Sequence, residues 1–367
     1  MRSVIATTLL AGTIIGAGVF SLPYVVSRVG LVPGLLELLV FGAVYSVIHL
    51  MYAALSETRE RDHQFFYFAH KYLPRWLAGS ASYIILIELI LVLTVYLTLV
   101  PAFAHTAFGV GGMIAVFGFW LLGSLFMHVS LRWLGIAEFV GTLSIVGIIA
   151  LLVCAAWGMP LTTPSFGVGT IVLFLLPFGP LLFSLSGRPA IPEVVAEHRA
   201  AKKEQKPFSL TTTILVGTLI PVLLYAVFVV SVLKINPSAS PEVLDSLYML
   251  SSTLLSLLGV MGLLTLWTSY FIIGINVRDI LHIDLHESRW IGSAIAWVLP
   301  LVLYIAGVQD FLAVVSFVGG IFLALEGIFV MMMWNRAFPT RRDRWVRWPL
   351  YFIFFLAIVY AIIHIVE

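Results

Sequence analysis

The stretch Gly12-Thr-Ile-Ile-Gly16-Ala-Gly18-Val-Phe-Ser-Leu-Pro23 (GTIIGAGVFSLP) lies inside an apolar run that extends from about residue 4 to 28. Three glycines within seven residues, followed by a proline, weaken a helix in its middle. Glycine is about 1 kcal/mol worse than alanine in a helix interior, and proline removes a backbone donor. A helix interrupted at that depth of a bilayer leaves polar backbone groups bare, at several kcal/mol each. It persists only where it lines a cavity inside the protein.

The rest of the chain supports a membrane setting. Of its 367 residues 61% are hydrophobic and 10% charged, with a mean hydropathy of +1.08. Soluble proteins carry about 25% charged residues. That excludes a soluble enzyme, a disordered chain and a nucleic-acid binder. The single cysteine, Cys154, excludes an internal disulfide framework and any cysteine-rich metal site. A spanning helix needs about 20 mostly apolar residues. Eleven such stretches are expected: 4–28, 34–56, 77–103, 110–130, 135–157, 168–200, 209–233, 251–280, 289–307, 311–335 and 348–366. They are too long and too uniformly apolar for barrel strands of about 10 residues. The first continues past any small-residue cleavage site, so it reads as a span rather than a signal peptide.

Lysine and arginine set the expected orientation. With the N-terminus inside, 17 of the 20 basic residues fall in inner connections, leaving Arg28 and Lys234 outside and Arg188 within a span. This asymmetry predicts a cytoplasmic N-terminus and an extracytoplasmic C-terminus in a multi-pass plasma or inner membrane protein. Residues 61–75 (RDHQFFYFAHKYLPR) interleave aromatics with charge, predicting an amphipathic helix on the inner leaflet. Residues 234–250 form the one sizeable outer connection.

The sixth stretch carries a second interruption, Pro177-Phe-Gly-Pro180 followed by Phe183-Ser-Leu-Ser-Gly187-Arg-Pro189-Ala-Ile-Pro192. Glycines alone would also suit close helix packing. Two broken spans separated by five spans point further. Five is odd, so a five-span repeat returns upside down, and inverted repeats with discontinuous helices are the pattern of secondary transporters. The half-helix ends offer free N–H groups for a carboxylate and free carbonyls for an ammonium or a cation.

On these residues the chain resembles the amino acid–polyamine–organocation superfamily, most nearly its aromatic amino acid permeases and the amino acid/auxin permeases. Gly12–Pro23 is similar to that superfamily's first-helix motif. Phe183–Gly187 resembles the unwound centre of its sixth helix, and Thr268-Ser269-Tyr270 resembles the Thr-Ser-Phe stretch of the aromatic permeases. The resemblance implies an all-α, leucine-transporter-like fold with a 5+5 inverted repeat, eleven transmembrane helices and broken first and sixth helices. Residues 4–157 form repeat one, 168–335 repeat two, and 348–366 an additional helix. It further implies that the amides of Gly16, Ala17 and Gly18 hold a substrate carboxylate. Carbonyls near Ile14 and Phe183–Ser184 take its ammonium, Phe183 covers it and Ser186 lines the pocket. In sodium-coupled relatives the cation sits where this chain has Gly12, Ile15, Thr265, Thr268 and Ser269. All-oxygen ligation without a carboxylate suits a weakly held monovalent ion, although Thr268 and Ser269 could instead bond back to their own helix.

Three charges remain inside spans. Glu88 lies eleven residues into its stretch, about 17 Å deep in a core of about 30 Å, and Glu326 is at similar depth. Either carboxyl could carry a proton. Arg188 has no counterpart in the aromatic permeases. It could read an anionic substrate, replace the coupling cation or pair with Glu88, and the pairing is favoured because buried charges need partners. Glu37, His105 and His128 read as interfacial, His49 as a hydrogen-bonded bundle residue, and Glu138 and Asp279 as caps or gate contacts. The expectation is a non-enzymatic, ion-coupled symporter for a neutral amino acid, aromatic ones included. It needs no cofactor beyond Na+ or H+ and no nucleic acid. Its partners are substrate and bilayer, and a single subunit contains the whole site. The alternative is an amino acid receptor on the same scaffold.

Overall fold

A computed structural model describes residues 2–58, 65–127, 131–161, 171–284, 288–339 and 344–366, with the backbone alone at 131–138, 171–172, 283–284, 289, 344–346 and 365–366. Arg59, Arg61, His128, Arg341 and Arg342, and the side chains of Arg132, Glu138, Arg289 and Arg344, lie outside this description.

The described residues form sixteen helices, α1 to α16, with short 3-10 and π segments. Each of the eleven apolar stretches holds at least one. Seven helices are long and apolar enough to cross a membrane, and α1 (Arg2–Ile14) with its continuation Ala17–Val29 makes an eighth, bent by 46°. The 110–130, 135–157 and 289–307 stretches carry shorter apolar helices. These are α6 (Gly112–Phe126), α7 (Leu131–Ala155) and α13 (Arg289–Ile305).

Local chemistry explains where these helices begin. Ser209, Ser251, Ser288 and Asp310 accept from the backbone N–H three residues on, capping α11 (Leu210–Ile235), α12 (Ser252–Asp279), α13 and α14 (Phe311–Phe317). Pro101, Pro221 and Pro300 sit inside helices, as bundles allow where neighbours satisfy the freed carbonyls.

The two punctuated stretches are interrupted. Gly16 is extended (φ −141°, ψ −160°) between α1 and a 3-10 turn, Ala17–Ser21, that runs into α2 (Leu22–Val29). In the sixth stretch α9 (Phe178–Leu185) ends at an extended Ser186. Gly187 and a 3-10 turn at Arg188–Ala190 then lead into α10 (Ile191–Lys203). α1 packs on α10 and α11, while α12 packs on α5 (Arg75–Phe108) and α7.

One end of the bundle gathers the charged connections. Arg2 pairs with Glu197 and Glu204 at 2.7 and 2.6 Å, Arg199 donates to the carbonyl of Ser56, and Arg336 donates to that of Tyr72. The Arg2 guanidinium holds the Glu204 carboxyl below its ordinary range by hydrogen bonding. At the opposite end the rings of Phe20, Phe103 and Phe228 stack, with centroids 4.9 and 6.1 Å apart.

The amphipathic segment is corrected by the structure. α4 (Phe65–Tyr72) is a helix, but it buries Phe65, Phe66, Phe68 and Ala69 against α5 and α15 (Ala324–Ala337) instead of laying them in lipid. The same face of α4 brings the Phe65 ring within 5.4 Å of the buried Arg188 guanidinium, a cation–π contact.

Candidate functional site

The two interruptions meet. A Cβ on Gly18 would lie 2.6 Å from both Cα and Oγ of Ser184, and one on Gly187 would lie 2.5 Å from Ile14 Cγ1. At Gly18 the neighbour is backbone, so glycine is required there; at Gly187 it is the Ile14 side chain that leaves no room for a Cβ. Between the segments is a cavity of about 60 Å3, lined by Ile14, Gly16, Ala17, Gly18, Phe183 and Ser186, with Thr13, Glu88 and Tyr96 adding polar groups. Beside it, a smaller cavity of about 30 Å3 is lined by Gly12, Thr13, Ile15, Gly141, Thr142, Thr268, Ser269 and Tyr96. Tyr96 and Thr13 border both.

Most residues expected from the sequence are thus brought together, in two adjacent groups. Two are not. Ser184 does not line the cavity, and its hydroxyl donates to the Pro180 carbonyl at 2.7 Å. Thr265 lies outside the smaller cavity and bonds back to the carbonyl of Met261 at 3.0 Å. Thr268 lines the cavity while its hydroxyl donates to the carbonyl of Thr265.

The backbone groups expected to meet the substrate are partly engaged already. The Tyr225 hydroxyl, from α11, donates to the carbonyl of Ile14 at 2.8 Å and has the Ser184 carbonyl at 3.1 Å, and its oxygen faces the Gly16 amide. One phenolic hydrogen ties the two interruptions together. The N–H groups of Ala17 and Gly18 open the following helix and have no acceptor within it. Tyr225→Phe is expected to lower stability by about 1 kcal/mol in detergent unfolding. An unchanged midpoint would show that the hydroxyl ties nothing.

Arg188 pairs with Glu326, not with the Glu88 favoured from the sequence. Both side chains are 2% exposed. The reason lies in α9 and the π-helical turn Val318–Leu323 that precedes α15. A Cβ on Gly319 would come within 1.9 Å of the Gly179 carbonyl oxygen, so the sixth and tenth stretches touch backbone to backbone. That contact carries Glu326 onto Arg188. Glu88 is left alongside, within electrostatic reach of both Glu326 and Arg188, with its Oε2 buried and unpartnered.

His49 is structural, as expected: Nδ1 meets the Thr218 hydroxyl at 3.0 Å and Nε2 accepts from the Gly187 amide at 3.2 Å. Asp279 accepts from its neighbour Arg278 at 2.9 Å. Tyr225, Tyr96, Thr13 and Thr142 escaped the sequence reading. Nothing in a chain with 13 tyrosines distinguishes the two that reach the centre. Among the described residues no cluster of His, Cys, Asp and Glu could hold a metal ion.

Two solved structures share this architecture. A crystal structure of MhsT in complex with L-phenylalanine superposes with a TM-score of 0.65 at 13% identity, covering 98% of this chain and 97% of that one. A crystal structure of the Eremococcus coleocola manganese transporter, in complex with an aromatic bis-isothiourea substituted compound, gives a TM-score of 0.63 at 13% identity and covers 98% and 85%. Neither a protein-family model nor a curated protein sequence matches the chain. The likeness is one of fold: the chain is an all-helical, multi-pass membrane protein with the leucine-transporter-like architecture.

Proposed function

We propose that the chain is a secondary active transporter for a neutral amino acid, working by alternating access and driven by a monovalent cation. The observation that carries this reading is the cavity between the two interrupted helices, lined by seven polar or backbone-exposing positions: Thr13, Gly16, Ala17, Gly18, Glu88, Tyr96 and Ser186. A carboxylate would dock on the amides of Ala17 and Gly18 at a helix start, with Phe183 over the substrate and Ser186 beside it. About 60 Å3 has room for roughly four or five water-sized groups, which suits a small amino acid. An aromatic substrate requires Phe183 to swing away. The reading places the chain nearest the aromatic permease branch, as Gly12–Pro23 suggests. It has eleven crossings in the cell membrane, repeats over 4–157 and 168–335, an additional helix over 348–366, a cytoplasmic N-terminus and no catalytic chemistry.

For the cation, a sodium ion would sit against Gly12, Ile15, Thr268 and Ser269, oxygen donors without a carboxylate, a reading supported by their sharing the smaller cavity. Proton coupling through Glu88 is the second reading, favoured by its unpartnered Oε2 beside the substrate cavity. Uptake of labelled alanine and phenylalanine into proteoliposomes, with sodium and proton gradients imposed separately, tests both. Sodium-driven uptake falling about 10- to 100-fold in Thr268→Ala is the expected result, the equivalent of one lost charge-assisted contact. Uptake indifferent to sodium transfers the coupling to the proton. Specific binding without gradient-driven flux makes the protein a receptor.

A further inference from the structure

Glu88 belongs to the substrate as well as to the charge cluster. It is 3% exposed, lines the 60 Å3 cavity beside Gly16, Ala17 and Gly18, and keeps one carboxyl oxygen without a partner. The carbonyls of Ile14 and Ser184 are neutral acceptors that already have the Tyr225 hydroxyl at 2.8 and 3.1 Å, so they balance none of an ammonium's charge. An ammonium left in that cavity needs another acceptor, and Glu88 is the only carboxyl among its lining residues.

Resting on the transporter reading above, we propose that Glu88 is the counter-ion of the substrate's amino group, so that the cavity takes small primary amines as well as small amino acids and exchanges one proton for the amine it binds.

The exchange follows from counting charges. Two carboxyls, Glu88 and Glu326, face one guanidinium, Arg188, which is paired with Glu326. Two ionised carboxyls and one guanidinium, all about 2–3% exposed, would leave a net negative charge buried at high cost. Without substrate the cluster therefore holds one proton and is neutral overall. The other titratable groups facing it are phenols: Tyr45, whose hydroxyl donates to the Leu182 carbonyl at 2.7 Å, Tyr96 in the cavity wall, and Tyr52 near Arg188. An arriving ammonium is already protonated. Docked on the Glu88 carboxylate, it displaces the proton to solvent, and the cluster again carries one balancing positive charge. No bond is broken other than O–H. The sign is opposite to that of proton symport through the same carboxyl, in which substrate binding takes a proton up.

The test uses the purified full-length protein in detergent and three probes of matched size: alanine, ethylamine (alanine without its carboxylate) and propionate (alanine without its amine), with a panel of other neutral amino acids beside them. Calorimetric titration in two buffers of different ionisation enthalpy reads affinity and proton exchange together. Alanine and ethylamine are expected to bind with release of about one proton each, and propionate is not. In Glu88→Gln, which leaves the Arg188–Glu326 pair in place, both affinities are expected to fall roughly 10- to 100-fold and the proton release to vanish. If alanine binds wild type with proton uptake, or with no exchange, or if Glu88→Gln binds it unchanged, the amine is held elsewhere and the proposal is overturned while the transporter reading stands. Ethylamine binding with proton release, with no amino acid of the panel bound, upholds Glu88 as an amine site and overturns the amino acid reading. Binding of none of the probes or the panel overturns both.

Discussion

A chain carrying Glu88→Gln and Glu326→Gln together is expected to lose about 3–5 kcal/mol of stability, the cost of leaving a buried charge without its partner. Either substitution alone is expected to cost clearly less, because Arg188 then keeps one carboxylate: Glu326 directly, or Glu88 after a small shift. The measurement is a double-mutant cycle in detergent unfolding, where neighbours that share a partner depart from additivity. Arg188→Met added to the double variant is expected to recover most of the loss, since it removes the orphaned cation and leaves an apolar chain of similar length. A double variant as stable as wild type would mean that Arg188 is satisfied by Phe65, against which it stacks, and by water, and that neither carboxyl is its counter-ion.

Gly18→Ala should cut uptake by about tenfold or more while leaving the protein folded. Its Cβ would fall 2.6 Å from the Cα of Ser184, a backbone atom that cannot swing aside as the tip of a side chain can. Overpacking of this kind costs about 1–3 kcal/mol, less than the fold's whole stability but enough to part the two interrupted segments. The amides of Ala17 and Gly18 and the wall at Phe183 would then lose register, and uptake should fall by about tenfold or more, since each 1.4 kcal/mol of lost transition-state stabilisation is a factor of ten. Gly79 is the control. A Cβ there meets nothing within 4 Å, so Gly79→Ala should transport normally. Equal uptake by Gly18→Ala and Gly79→Ala would show that the contact between the interruptions is not needed for transport.

What could be read without coordinates were properties that are local along the chain. Hydropathy summed over about 20 residues marks the stretches that carry the apolar helices, and the inner connections assigned by lysine and arginine include Arg2, Arg199 and Arg336, which contact Glu197, Ser56 and Tyr72. Gly16, Gly18, Gly187 and Pro189 announce the interruptions because backbone freedom and a missing donor belong to the residue itself. The two site groups, Ile14, Gly16, Ala17, Gly18, Phe183 and Ser186 on one side and Gly12, Ile15, Thr268 and Ser269 on the other, came from the resemblance those motifs carry, and they line the two cavities. Ser184 and Thr265 came in by the same resemblance but line neither cavity: the Ser184 carbonyl meets the Tyr225 hydroxyl, and the Thr265 hydroxyl has the Met261 and Gly141 carbonyls.

Which way a buried helix faces was decided only in three dimensions. α5, α11 and α12 are apolar on all sides, so they offer no polar stripe from which rotation could be deduced. Tyr96 and Tyr225 reach the centre because of packing on neighbours, not because of anything in their own segments. The partner of Arg188 depended on the glycine contact between α9 and the π-helical turn before α15, which brings Glu326 rather than Glu88 to the guanidinium. The sequence by itself determined a helical membrane protein with two interrupted spans. The tertiary structure decided which carboxyl balances the arginine and which is left to face the cavity, because that choice rests on distances between helices far apart in the chain.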